Sequence, residues 1–326
     1  MECSWHRELG GVEGLVNISS MKYHFDNKVD FYVTNVCNYT CENCNRFNNH
    51  HFTGWQRWSD YRDVYTEWAK RVTLTSAVIM GGEPTLNPTL TDWVVGLNDT
   101  FGVGVQILTN ATRLQYVDGL YDSMLYRVPG QNAGNHIGVS IHNHDDFETI
   151  KNNIVSFLGP GVQEWGRLIG VPTPDFMPPY NSDYAAIDQN GVLINAWVSN
   201  TFTEAAIVKT AQGGFTLHNN DSDQTRKAFD ACAFRRFKSY HFIRGKLYRC
   251  APVALMPEFD QQHNLAISEE DRQLLNAYKP LTIENYNEYS EQFYKTIDDS
   301  IAQCKFCSPK PETTKIFPIR KGLDPK

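Results

Sequence analysis

The chain has 326 residues, of which 41% are hydrophobic and 21% are charged, so a sizeable folded core is expected. Its net charge of −7 argues against nucleic-acid binding through a general basic surface. The sequence has no apolar run near the roughly 20 residues that span a bilayer, and Met1 to Gly14 lacks a signal-peptide core. We therefore expect a cytoplasmic protein without nucleic-acid or membrane partners, in which clustered cysteines are metal ligands rather than disulfides.

Short apolar runs alternate with amphipathic stretches, a pattern that predicts repeated βα units. Strands are predicted near residues 29–35, 76–80, 103–108, 137–141, 192–198 and 214–218. One helix is predicted at about 59–72, with Ser59 or Asp60 as its cap, and another at about 146–158, with Gly159 as its stop signal. Six such units predict an α/β fold with an open, partial barrel.

The remaining segments have a different composition. Residues 159–190 are rich in proline, glycine and aromatic residues, which predicts either a packed functional loop near the active site or a surface excursion. A hairpin is predicted over Tyr240 to Tyr248, turning at Arg244-Gly245, and helices are predicted near 268–278 and 284–302. The tail after Ser308 is predicted to be extended.

Three cysteines follow the first predicted strand, in the segment Cys37-Asn-Tyr-Thr-Cys41-Glu-Asn-Cys44. With this CxxxCxxC spacing, three thiolates on a tight loop can ligate three corners of a [4Fe–4S] cluster and leave the fourth iron open. An open iron can bind the amino and carboxylate groups of a small molecule, as open metal sites do in general. A zinc site with His50 or His51 as the fourth ligand is the alternative.

A second motif, Gly81-Gly82-Glu83-Pro84, ends the second predicted strand. The glycines are expected to let the backbone approach a ligand, and Glu83 offers a carboxylate to a cation. The third predicted strand ends in Thr109-Asn110, which places further polar groups at the same edge of the sheet.

Polar and apolar residues alternate on the last three predicted strands. Ser140 and His142 share one face of the fourth, Asn195 lies on the corresponding face of the fifth, and Thr216 and His218 share a face of the sixth. Apolar outer faces would pack on helices, so these polar inner faces predict the wall of a ligand cavity.

Four further cysteines, Cys232, Cys250, Cys304 and Cys307, lie towards the end of the chain. Two thiolates near a hairpin and two on a CxxC turn can complete a tetrahedral site. Zinc and a fully ligated second [4Fe–4S] cluster are both chemically possible there. Cys3 is left over and is interpreted as an incidental thiol.

Together, the CxxxCxxC segment and the Gly-Gly-Glu motif resemble the signatures of the radical S-adenosylmethionine (SAM) superfamily. The resemblance implies an N-terminal extension over 1–24 and a radical SAM partial (β/α)6 barrel over 25–221. The order of the four later cysteines resembles the Twitch domain, the truncated form of the SPASM domain, and implies an auxiliary iron–sulfur domain over 222–310. It also resembles the aminocyclitol-oxidising enzymes of the 2-deoxy-scyllo-inosamine dehydrogenase type. Residues 311–326 remain as an extended tail.

This resemblance also assigns cofactor contacts. Cys37, Cys41 and Cys44 would hold the cluster with the open iron, and the four later cysteines would hold the auxiliary [4Fe–4S] cluster. The family usually has an aromatic residue near the SAM adenine where this chain has Asn43. The residues implied to contact SAM are Asn43, Gly81, Gly82, Glu83, Pro84, Thr109, Asn110, Ser140 and Asn195. Among them, Glu83 would bind the amino group of SAM, and Ser140 its carboxylate or ribose.

The implied activity is reductive cleavage of SAM to a 5′-deoxyadenosyl radical, which removes a hydrogen atom from the substrate. We expect a two-electron oxidation of a small polar substrate, resembling a sugar or a cyclitol, with flavodoxin or ferredoxin as electron donor. His142, His218 and Arg235 are the candidate bases. The alternatives are radical modification of a peptide or protein side chain and a non-catalytic iron–sulfur or zinc module.

Overall fold

The computed structural model describes residues 22–50, 52–131, 133–142, 147–159, 162, 164–166, 184–198, 201–202, 204–310 and 313–314. Nearly all of the predicted N-terminal extension, most of the 159–190 segment, most of the tail and Cys3 lie outside these ranges. Within them, no helix is long and apolar enough to cross a membrane.

The described strands form one large sheet and two small ones. They are β1 (Tyr23–Thr34), β2 (Val72–Gly81), β3 (Val105–Thr109), β4 (His136–Ile141), β5 (Glu164–Gly166), β6 (Tyr184–Ile187), β7 (Leu193–Val198), β8 (Thr201–Phe202), β9 (Ile207–Lys209), β10 (Phe215–Leu217), β11 (Tyr240–Ile243), β12 (Lys246–Tyr248) and β13 (Thr313–Thr314). The large sheet has the order β12-β11-β1-β2-β3-β4-β7-β6-β5. Its six central strands, β11 to β7 in this order, run parallel, and β12, β6 and β5 pair antiparallel at its edges.

The described helices connect these strands and cover the sheet. They are α1 (Trp58–Ala69), α2 (Leu90–Phe101), α3 (Leu120–Leu125), α4 (Phe147–Leu158), α5 (Ser222–Ala231), α6 (Ala233–Arg236), α7 (Ala251–His263), α8 (Glu269–Asn276) and α9 (Tyr286–Lys295). The first helix begins one residue before the predicted cap Ser59, whose hydroxyl donates to the Asp60 carboxylate instead of capping the backbone. The predicted helices at 146–158, 268–278 and 284–302 correspond to α4, α8 and α9.

The main core lies between the helices and the apolar face of the sheet. Val29, Phe31 and Val33 of β1 are fully buried there, as are Ala77 and Ile79 of β2. The alternation of buried apolar side chains on one face leaves the intervening side chains on the opposite face of the same strands. The sheet therefore turns its apolar residues towards the helices and keeps a second, more polar face for a cavity.

The predicted sixth strand forms, but it does not join the central sheet, so this part of the barrel prediction is wrong. β10 pairs antiparallel with β9 in a separate two-stranded sheet, and β6 occupies the position beside β7. Thr216 donates through its hydroxyl to the carbonyl oxygen of Ala266. His218 lies with its Nε2 atom 3.3 Å from the carbonyl oxygen of Ala205. The described chain is a mixed α/β fold with a mostly parallel central sheet.

The predicted hairpin is confirmed as β11 and β12. Its turn places Arg244 at φ 50° and Gly245 at φ 74°, the left-handed region that suits a two-residue hairpin turn. Its partner was not predicted: β11 pairs in parallel with β1, with Val29 opposite Tyr240. The hairpin thus extends the central sheet, although it belongs to the segment 222–310, whose assignment as a separate domain stays a prediction.

Candidate functional site

A cavity of about 360 Å³ lies on the polar face of the sheet, within the size range of small-molecule sites. Its wall includes the loop after β1, the ends of β2 and β3, and side chains of β4 and β7. Residues from α6 and the segment before β11 close another side. The cavity therefore begins at the carboxyl ends of parallel strands, where α/β sheets bind ligands, and extends along the polar face to Lys28 of β1 and Gln106 of β3.

The cysteine loop forms one end of this cavity. Cys37, Cys41 and Cys44 all contribute to the wall and pack around the buried ring of Tyr39. The amide of Cys44 donates to the carbonyl oxygen of Cys41 at 3.3 Å, and the amide of Tyr39 donates to the Cys37 sulfur at 3.4 Å. The CxxxCxxC segment thus contributes all three cysteines to the wall of one pocket, and their role as cluster ligands stays a prediction.

The protonation state of these thiols depends on whether they bind a metal. Burial raises the pKa of Cys37, and the negative charge of Glu83 raises it further. Burial also raises the pKa of Cys41, with Cys44 adding to the effect. These two thiols are therefore neutral by themselves, and positively charged irons would favour their thiolate forms.

The two glycines of the second motif act on the cysteine loop. A Cβ atom on Gly82 would lie 2.1 Å from the carbonyl oxygen of Val36, and one on Gly81 would lie 2.4 Å from that of Thr34. The amide of Gly82 donates to the carbonyl oxygen of Thr34 at 2.8 Å, and this bond requires the two backbone segments to lie this close together. The glycines were expected to let a ligand approach, but here they let two backbone segments of the protein meet. Both also line the cavity, and their contact with SAM stays a prediction.

Glu83 joins the ends of β2 and β3. Its carboxylate accepts hydrogen bonds from the amide and hydroxyl of Thr85, from the hydroxyl of Thr109 and from the amide of Asn110. Only 1% of Glu83 is exposed, and burial raises its pKa while these bonds oppose that rise. A carboxylate is therefore held rigidly beside Cys37, in a position to orient a cationic group.

Most of the predicted SAM contacts meet at this cavity. Those that line it are Gly81, Gly82, Glu83, Thr109, Asn110 and Ser140. The side chain of Asn110 also donates to Asn38 in the cysteine loop at 2.8 Å, a second tie between β3 and that loop.

The other predicted SAM contacts are absent from the cavity wall within the described ranges. Asn43 accepts a hydrogen bond from the amide of Ala205 at 3.4 Å. Pro84 begins a buried 3₁₀ turn, and Asn195 is buried in β7. Their roles stay predictions.

Of the three candidate bases, His142 lines the cavity, where its ring lies edge-on to Tyr39 with 6.0 Å between centroids. His218 lies beside Ala205, as described above. Arg235 is partly exposed, and its guanidinium pairs with Asp230 at 3.2 Å. The structure therefore brings one candidate base to the cysteine loop and places the other two elsewhere.

The four later cysteines also come together. Cys232 lies between α5 and α6, Cys250 precedes α7, and Cys304 and Cys307 flank the end of a 3₁₀ turn. Burial raises the pKa of Cys250 and of Cys307, and the neighbouring cysteines of the set add to both effects. Four thiols from three segments therefore form one second group.

Within the described residues, no group of three or more His, Cys, Asp or Glu side chains is placed so that it could hold a metal ion. The donor types are those of iron–sulfur clusters, whose cysteine ligands bind different irons. Three thiols facing a cavity fit a cluster with an open iron, and four thiols fit a closed one.

Sequence reasoning missed a group of charged and polar side chains deeper in the cavity. Lys28 and Asp30 of β1, Arg46 of the cysteine loop and Gln106 of β3 all line it. His241 of β11, which is fully buried, contacts this group through Asp30 and Arg46. The available signal was a polar residue inside an otherwise apolar strand, as in Val29-Asp30-Phe31.

No protein-family model matches the chain, and no curated protein matches it. Among solved structures, SuiB of Streptococcus suis, determined alone, with S-adenosylmethionine and with the precursor peptide SuiA, is similar at 14% identity and TM-scores of 0.31 to 0.32. The alignments cover 40% of this chain and 29 to 30% of SuiB, so the chain spans less than a third of that protein.

Proposed function

We propose that this chain is a radical SAM enzyme that oxidises a small polar substrate. The observation that carries the proposal is the meeting of Cys37, Cys41 and Cys44 at one end of a cavity, with the Glu83 carboxylate beside Cys37. A cluster held by three thiols keeps one iron open for SAM. A buried carboxylate next to it suits the amino group of the same molecule.

The chain's own residues have distinct parts in this scheme. When bound, the reduced cluster and SAM would supply a carbon-centred radical that removes a hydrogen atom from the substrate. Glu83 would orient the SAM amino group, and the rings of Tyr39 and Trp197 in the cavity wall would exclude water. His142, beside Tyr39, would accept a proton if the substrate is oxidised.

One cysteine of the second thiol group, Cys232, adjoins the same cavity, which supports oxidation. Cys232 is followed directly by Ala233 and Phe234, and both line the cavity. A cluster with four protein ligands has no open iron for the substrate, so electron transfer is its expected role. An electron acceptor is needed for oxidation of a substrate radical and not for isomerisation.

The character of the cavity supports a small substrate. Ser140, His142 and Gln106 contribute polar atoms to its wall, while Trp197 and Phe237 contribute apolar surface. SAM and the substrate would share this cavity, so its volume of about 360 Å³ favours a small substrate over a large one. A sugar- or cyclitol-like molecule fits these properties, with flavodoxin or ferredoxin as the proposed electron donor.

The experiment is a SAM cleavage assay. The anaerobically reconstituted and reduced protein is expected to form methionine and 5′-deoxyadenosine, measured by mass spectrometry. Replacing Cys37, Cys41 and Cys44 together by alanine should abolish both products, with circular dichroism showing that the fold persists. Cleavage by this triple variant would contradict the proposal, and a wild-type protein that never cleaves SAM would favour a non-catalytic metal-binding module.

A further inference from the structure

One row of side chains crosses the polar face of the sheet within the cavity. In the register of the parallel strands, Asp30 of β1 lies opposite Val78 of β2, and Val78 lies opposite Gln106 of β3. All three line the cavity. Val78 precedes Gly81 by three residues and Gln106 precedes Thr109 by three, so the row lies about 10 Å along the strands from the proposed SAM contacts. A substrate bound beside SAM would therefore meet this row.

Asp30 offers one hydrogen-bond acceptor to the cavity. Its Oδ2 atom accepts from the Ser239 hydroxyl and lies 3.2 Å from His241 Nε2. The other oxygen, Oδ1, has no hydrogen-bond partner in the described ranges, and it is not one of their fully buried unpartnered atoms, so it keeps accessible surface. Because Asp30 lines the cavity, Oδ1 is open to a ligand group that donates a hydrogen bond.

Gln106 offers a hydrogen-bond donor at the other end of the row. Its Oε1 atom accepts from Lys28 Nζ at 2.6 Å, which fixes the orientation of the amide. Its Nε2 atom has no acceptor in the described part of the chain and, like Asp30 Oδ1, is not fully buried. A Cβ atom on Gly138 would lie 2.5 Å from Nε2 and 3.1 Å from the ring of Trp197, so the glycine leaves room for both groups. The cavity wall thus presents an open N–H donor beside an aromatic ring.

The charges around Asp30 distinguish a neutral ligand group from a charged one. Arg46 and Lys28 both act on this carboxylate through their positive charge. His241 is neutral, because burial lowers its pKa well below the ordinary value. An ammonium group at Oδ1 would be repelled by the two cations, and an anion would be repelled by Asp30 itself. A hydroxyl group can donate to Oδ1 without either repulsion.

An acceptor at one end of the row, a donor at the other and apolar surface between them suit a ring that carries hydroxyl groups. Two strand spacings, about 10 Å, separate the backbones of Asp30 and Gln106, a span that a six-membered ring with a hydrogen bond at each edge can bridge. We propose that one hydroxyl of the substrate donates to Asp30 Oδ1 and another accepts from Gln106 Nε2. Val78 and Trp197 would contact the carbon face of the same ring. This inference rests on the proposed function and specifies which groups of its substrate the protein recognises.

The test uses two neutral rings: myo-inositol, with a hydroxyl group on every carbon, and cyclohexanol, with a single one. Binding to the reconstituted protein is titrated by saturation-transfer difference NMR. We expect saturable binding of myo-inositol to the wild type and about tenfold weaker binding to Asp30→Asn and to Gln106→Glu, the loss expected for one hydrogen bond. Asp30→Asn removes the charge that strengthens the bond, and Gln106→Glu removes the donor while keeping an acceptor for Lys28. Asp63→Asn, at an exposed position on α1, should bind as the wild type does.

Two comparisons separate the possible results. Cyclohexanol should bind the wild type more weakly than myo-inositol does, and equal binding would show apolar attraction alone and overturn the inference. SAM also carries ribose hydroxyl groups, so saturating SAM is added to the oxidised protein, which does not cleave it. SAM should leave myo-inositol binding in place, since displacement would assign Asp30 and Gln106 to the ribose and overturn the inference.

Absence of saturable myo-inositol binding, or unchanged binding in either variant, would also overturn the inference. Circular dichroism checks that each variant is folded. Gly138→Ala, whose added carbon displaces the flexible amide of Gln106, should weaken binding in the same way and replaces Gln106→Glu if that variant does not fold. If myo-inositol binds through Asp30 and Gln106 while SAM is never cleaved, the proposed function fails and the subsite stands.

Discussion

The amide of Glu83 donates to the carbonyl oxygen of Val36, 2.7 Å away, and so ties the end of β2 to the residue that precedes Cys37. The adjacent bond from Gly82 to Thr34 reinforces this tie. The protein backbone therefore sets the position of the cysteine loop.

A methyl group at Gly82 tests this arrangement. In Gly82→Ala the new carbon would lie 2.1 Å from the Val36 carbonyl oxygen, so the two backbone segments must separate. We expect a loss of about 1–3 kcal/mol of unfolding free energy, as for overpacked sites. Bound iron should fall by about half because one of the two clusters is displaced. Urea unfolding and iron analysis measure both, with Gly214→Ala as control, since its added carbon meets only an ordinary contact at 3.4 Å. A normally stable variant with full iron content would show that the loop tolerates the separation.

From the second thiol group we predict how much iron the reconstituted protein binds. Anaerobically reconstituted protein should contain about eight irons per chain, as two four-iron clusters require. Replacing Cys304 and Cys307 by alanine should lower this to about four and leave the spectrum of the first cluster in place. Four irons and one zinc in the wild type would show that the later cysteines hold zinc instead.

The buried carboxyl group of Asp30 should make the unfolding free energy depend on pH. Burial raises its pKa to about 6, although Arg46, Ser239 and Lys28 oppose the rise. Because the ordinary value is about 3.9, the fold favours the neutral form, and this favourable contribution is lost as the pH rises from about 4 through 6. Asp30→Asn should therefore raise the unfolding free energy by about 3 kcal/mol at pH 8 and leave it nearly unchanged at pH 4.

Urea unfolding at several pH values measures this difference, and Asp63→Asn, at an exposed position, serves as the control. A variant that is less stable than the wild type at pH 8 would mean that the Asp30 charge stabilises the fold through Arg46 and Lys28.

The stoichiometry of SAM predicts the type of reaction. Oxidation should consume one SAM for each product molecule and return one electron to the clusters, since the auxiliary group lies beside the cavity. Quantification of 5′-deoxyadenosine against product checks this ratio. Recovery of SAM after each turnover, or a product at the oxidation level of the substrate, would identify an isomerase-type reaction instead.

Five of the six strands of the predicted barrel could be placed from the sequence because each contains a short apolar run between amphipathic stretches. The sixth could not, since alternation over Phe215 and Leu217 predicts a strand without naming its partner. The same limit applies to Tyr240–Ile243, where the hairpin was readable and the pairing with β1 was not. Sheet partners depend on contacts between distant segments, which local patterns do not contain.

The candidate site could be predicted only in part, for a related reason. The CxxxCxxC spacing identifies Cys37, Cys41 and Cys44 because the three proposed cluster ligands lie on one short loop and so form a pattern that is visible in the sequence. Asp30 and His241 come from distant segments and meet only when β11 pairs with β1. His218 was chosen from its strand pattern and fell outside the cavity because its strand belongs to another sheet.

The pairing of β11 with β1 has a consequence for how the protein is made. One edge of β1 stays without its partner strand until Tyr240–Ile243 has been synthesised far downstream. An unpaired edge of this kind promotes association between nascent chains. The cysteine loop follows β1 directly. The sheet that holds β1 in place is therefore complete only after β11 has been synthesised, late in translation. Iron insertion is therefore expected to follow synthesis of the β11 segment, and a chain cut before it should aggregate rather than accept metal.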